Sequence, residues 1–71
     1  MDREMLQRHL EEADRHVAQG ERHIAEQEIR IANLARLGRD TIEARKLLDN
    51  FYVSQVQHVQ HRDRLSEQLA Q

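Results

Sequence analysis

The sequence predicts an all-α fold, an antiparallel two-helix hairpin with coiled-coil-like packing that dimerises into a four-helix bundle. Three observations predict it. Two 4-3 apolar repeats flank a glycine-containing tetrapeptide near mid-chain. Acidic and basic residues alternate along both repeats. The apolar content is small, 38% of 71 residues with one Phe, one Tyr and no Trp. The chain is read as a single domain, with a first helix over about 2–37, a turn at 38–40 and a second helix over about 41–70.

The first repeat runs Leu6, Leu10, Ala13, Val17, Gly20, Ile24, Gln27, Ile31, Leu34. Spacing that alternates between three and four residues keeps these side chains on the seam of a packed helix, which repeats about every 3.5 residues. Asp2 can cap the free amides at the start, and no proline interrupts the segment. Gly38 suits the left-handed residue that closes a helix, because it has no Cβ to clash, and Arg36 places a cation in the last turn.

Asp40 followed by Glu43 forms an aspartate variant of the capping box, opening the second helix near Thr41. Its repeat runs Ala44, Leu48, Phe51, Gln55, His58, Arg62, Leu65, Leu69. So short a connection folds the second helix back beside the first. With Leu37 and Thr41 flanking the bend, facing residue numbers should sum to roughly 78. That register sets Leu34 against Ala44, Ile31 against Leu47 and Leu48, Gly20 against His58, Ala13 against Leu65 and Leu10 against Leu69. The middle of the seam is polar at Gln27, Gln55, His58 and Arg62, and such residues need partners if buried.

One interface between two helices buries little apolar surface. Small scaffolds usually compensate with disulfides, a metal or association, and a chain with no cysteine has neither disulfides nor thiolate zinc sites. A second apolar patch on the second helix, Tyr52, Val53, Val56 and Val59, offers the surface on which another copy would pack two-fold. The same patch suits an amphipathic helix of a different protein. Ile29 and Leu37 read as apolar residues scattered on the surface.

The charge balance is 11 basic to 13 acidic residues, net −2, without like-charge runs. Nucleic-acid binders concentrate Lys and Arg on one face, so no nucleic-acid partner is expected. Glu4/Arg8, Glu11/Arg15 and Glu26/Arg30 stand at i,i+4 with the acid first, the order that supports a helix. Nowhere do even five apolar residues run consecutively and the N-terminus lacks signal-peptide order, so neither a membrane span nor export is expected. The absence of cysteine is compatible with the cytoplasm.

Five histidines stand in two groups: His9, His16 and His23 every seven residues beside the first seam, and His58 and His61 three apart on the second helix. His16, His23, His58 and His61 form a candidate constellation for Zn²⁺ or a similar ion, since imidazole suits borderline metals. No H-E-x-x-H or Glu-x-x-His pattern accompanies them, and an amphipathic ring beside a seam serves equally as boundary packing. The reading is therefore boundary packing, with no cofactor and no metal site expected. Histidine-mediated metal binding or pH sensing is the alternative function. If these rings lined an interface they would charge together below about pH 6.5 and repel.

An enzyme is not expected. The hydroxyl side chains are Thr41, Tyr52, Ser54 and Ser66, and none lies in a turn of the kind that exposes a nucleophile. Gly20 and Gly38 stand singly rather than in a phosphate-cradling loop.

Taken together, Glu21-Arg22-His23-Ile24-Ala25, Leu37-Gly38-Arg39-Asp40-Thr41, then Ala44, Leu47, Leu48, Phe51 and His58-Val59-Gln60-His61-Arg62-Asp63-Arg64-Leu65 carry a resemblance. The chain resembles small uncharacterised α-helical proteins of rhizobia and related α-proteobacteria, over roughly His9 to Leu69. The resemblance implies a bacterial, cytoplasmic protein of about this length and transfers no functional residue. The expected role is a self-associating structural or protein-interaction module.

Overall fold

A computed structural model describes residues 2–71. It contains two α-helices, α1 (Arg3–Arg36) and α2 (Ile42–Ala70), packed against each other as an antiparallel hairpin about 54 × 14 × 13 Å in extent.

Local chemistry sets each helix end. At the start of α1 the Asp2 carboxylate accepts a 2.7 Å hydrogen bond from the Met5 amide, satisfying one of the unpaired first-turn donors. At its end Gly38 takes φ +69°. Its N–H donates to the Ala35 carbonyl at 3.0 Å, and the Arg39 N–H donates to the Leu34 carbonyl at 2.9 Å. This pair of bonds is the Schellman closure that a left-handed glycine permits.

The start of α2 departs from the expected capping box. Thr41 is the capping residue and makes no side-chain cap bond; the Asp40 carboxylate accepts from the Ile42 amide at 2.9 Å. Glu43 does not reach back, because its carboxylate lies 3.4 Å from Lys46 Nζ, one turn further on. Thr41 Oγ1 instead accepts from Arg45 Nε at 3.0 Å.

Every seam position predicted on both helices is buried or half-buried, and outside the two seams only Thr41 and Val59 are covered to that degree among the described residues. The best-packed end lies away from the turn, where Leu6, Ala13 and Leu65 are buried with Leu10 and Leu69 packed on them. Val17, Ile31 and the amide of Gln27 complete the buried set.

Leu10, Ala13, Leu65 and Leu69, expected to face one another at the far end, do pack in one cluster there, whereas in the middle of the hairpin the register differs from expectation by about one helical turn. Gly20 meets Gln55 rather than His58, His58 lies against His16, and Phe51 lies against His23. Leu47, expected against Ile31, is 43% exposed. The reason lies in the polar seam residues. Gln27 Nε2 donates to the Ala44 carbonyl and Gln55 Nε2 to the Val17 carbonyl, each at 2.9 Å, so two side-chain amides tie each helix to the backbone of the other. A carbonyl already engaged in its helix keeps a second lone pair for such a bond.

Gln55 Oε1 is buried without a hydrogen-bond partner and occupies the space a Cβ on Gly20 would fill. Glycine at this position is what admits the amide. There the oxygen looks onto an α-hydrogen, a weak polar contact in place of a full hydrogen bond. Arg62, the fourth polar seam residue, turns its guanidinium toward Asp63, with Nε donating to Oδ1 at 3.1 Å.

The three expected i,i+4 pairs are not among the ion pairs formed by the described residues. Those are Glu43 with Lys46 and Asp63 with Arg62, and Glu12 Oε1 stands 4.0 Å from His16 Nε2. Exposed long side chains gain little from fixed pairing in water.

Candidate functional site

The heptad positions immediately beside the α1 seam carry His9, His16 and His23, and those of α2 carry Ser54 and His61. In antiparallel helices these flanks come together along one side of the hairpin. There the structure places three adjoining depressions. The first is lined by His9, Glu12, Ala13, His16 and His61. The second includes His16, His23, Phe51, Ser54 and His58. The third, near the turn, includes His23, Ile29, Leu34, Leu37 and Phe51. Because neighbours share His16 and then His23, they form one groove, and all five histidines line it.

The four candidate metal residues are brought to this groove but not to one point. The His16 and His58 rings stand 5.6 Å apart between centroids, tilted by 52°. His23 instead lies against Phe51, also at 5.6 Å and tilted by 35°. His61 lines the outer depression with His9 and His16. Among the described residues no group of three or more His, Cys, Asp or Glu side chains is placed to hold a metal ion. Glu12 Oε1 lies 4.0 Å from His16 Nε2, one turn back on the same helix.

The opposite flank carries the apolar patch of α2. Tyr52, Val56 and Val59, with the stems of Gln55 and Gln60, line a shallow and almost wholly apolar depression. Tyr52 is 44% and Val56 55% exposed, while Val59 is half-buried. Val53 is exposed but lies outside that depression. On α1 the flanking positions of this side hold Asp14, Glu21 and Glu28, so the patch is apolar on one helix and acidic on the other.

Sequence reasoning missed the depression at the turn end. Ile29 and Leu37, read as scattered, are about 60% exposed and share it with Leu34 and Phe51. The signal was present in the spacing: Glu26, Arg30, Asn33 and Leu37 step by three or four along one face, beside Ile29.

Among the described residues no helix is long and apolar enough to cross a membrane. No protein-family model, no curated protein and no solved structure matches the chain.

Proposed function

We propose that this chain is a self-associating structural or protein-interaction module that works as a homodimer, two hairpins meeting through the α2 patch of Tyr52, Val53, Val56 and Val59 to make a four-helix assembly. The observation that carries this reading is surface area. The hairpin exposes 5559 Å². A compact monomer of 8.5 kDa exposes about 4,700 Å². The excess, on the order of 900 Å², is close to the roughly 800 Å² that one partner contributes to a standard protein interface. The patch supplies an apolar face for that contact, with Tyr52, Val53 and Val56 exposed, and an exposed apolar face gains from being covered.

The reading assigns binding rather than catalysis, in the bacterial cytoplasm that the sequence resemblance implies. It is tested by sedimentation equilibrium of the wild-type chain and of Val56→Asp. The wild type is expected to sediment as a dimer at micromolar concentration and the variant as a folded monomer, because a carboxylate at the centre of an apolar interface is desolvated without a partner. A wild-type monomer, or a variant that dimerises equally well, overturns the reading. A variant that keeps the dimer but loses capture of an added amphipathic helix assigns the patch to a different protein.

A further inference from the structure

From the meeting of His16 on α1 with His58 on α2 we infer a metal site: the two imidazoles clamp one divalent transition-metal ion of the zinc, nickel or copper class across the hairpin. Two imidazole nitrogens, each about 2.0–2.1 Å from one ion at a roughly tetrahedral angle, put their ring centroids roughly 5 Å apart. The observed centroid separation is 5.6 Å, close to that spacing, with the rings tilted rather than stacked flat. One ring comes from each helix. The ion would therefore bridge two elements that the backbone joins only at the turn.

The surroundings suit a cation with open coordination positions. The pair borders a depression that Gln19, Ser54 and Gln55 also line, with room for water to complete the shell. Glu12 Oε1, 4.0 Å from His16 Nε2, adds negative charge beside the pair as a neighbour rather than a third ligand. Two protein ligands favour ions that bind imidazole strongly, which by the usual order of divalent affinities means copper, then nickel or zinc, over magnesium or calcium. The competing chelate on a single helix is His58 with His61, three residues apart. It leaves His16 unused.

The site does not require the homodimer, and its test distinguishes the two. Thermal unfolding is followed by circular dichroism in chelator and then with Zn²⁺ alone, for the wild type, His16→Gln, His58→Gln, His61→Gln and His9→Gln. An ion that binds only the folded hairpin, at a hundredfold excess over its dissociation constant, should raise the melting temperature on the order of 10 °C. The rise is expected in the wild type, His9→Gln and His61→Gln, and lost in His16→Gln and His58→Gln. Equilibrium dialysis should find one ion per chain in the first group, a readout that holds even if a variant melts early. No rise in the wild type overturns the proposal, as does a rise that survives in His16→Gln or disappears in His61→Gln. A rise that depends on protein concentration also overturns it, since the ion would then be linking copies rather than helices.

Discussion

Gly20 and Gln55 are each understood only through the other. In an ordinary helix interior, alanine in place of glycine stabilises by about 1 kcal/mol, because it restricts the unfolded backbone. Here a Cβ would overlap the Gln55 amide oxygen. That amide is held by its 2.9 Å bond to the Val17 carbonyl, so making room means giving up a partly buried hydrogen bond of about 0.5–1.5 kcal/mol and repacking the seam around it. Gly20→Ala is therefore expected to destabilise by about 1–2 kcal/mol. In a Gln55→Ala background, where the obstruction is gone, the same change should instead stabilise by about 1 kcal/mol. Urea unfolding of the four proteins in this cycle checks the reversal of sign. If Gly20→Ala stabilises in both backgrounds, the glycine is not there to admit the amide.

At the scale of the helices, the turn depends on one backbone conformation. Nothing lies within 4 Å of where a Cβ on Gly38 would stand, so a substitution there meets no steric neighbour and its cost is set by φ +69° alone. Gly38→Ala should cost about 1–2 kcal/mol, and Gly38→Asn less, since asparagine tolerates the left-handed region better. Melting temperatures of the two variants rank them, and equal losses would mean that the turn is not limited by backbone conformation. Such ends, and both seams, were legible in the sequence because glycine at a helix end and a 4-3 apolar repeat each have few alternative meanings. The axial register was not legible. Periodicity says which face of α2 meets α1, but a slide of one turn preserves that face, and the observed slide is the one that lets Gln27 reach Ala44 and Gln55 reach Val17. The histidine positions were legible in the same partial way. Their heptad spacing put them on one flank, whereas the pairing of His16 with His58, and of His23 with Phe51, followed from the slide.

The whole molecule is a rod about 54 Å long and 14 Å wide, and no fully buried large side chain is found among its described residues. A rod this thin has most of its atoms within one side chain of water, so its stability responds strongly to whatever covers its flanks. If a second copy covers the α2 patch, unfolding becomes a dissociation as well, and the melting temperature must rise with protein concentration. For a dimer with two chains of 71 residues, a hundredfold dilution should lower the melting temperature on the order of 10 °C. Val56→Asp should remove that dependence while leaving a folded hairpin, since Val56 is 55% exposed and contributes little to the seam itself. Scans at several concentrations of both proteins make the comparison. A wild-type melting temperature that stays constant over the hundredfold range would show that the rod is stable alone, with its seam and its two glutamine ties sufficient to hold it.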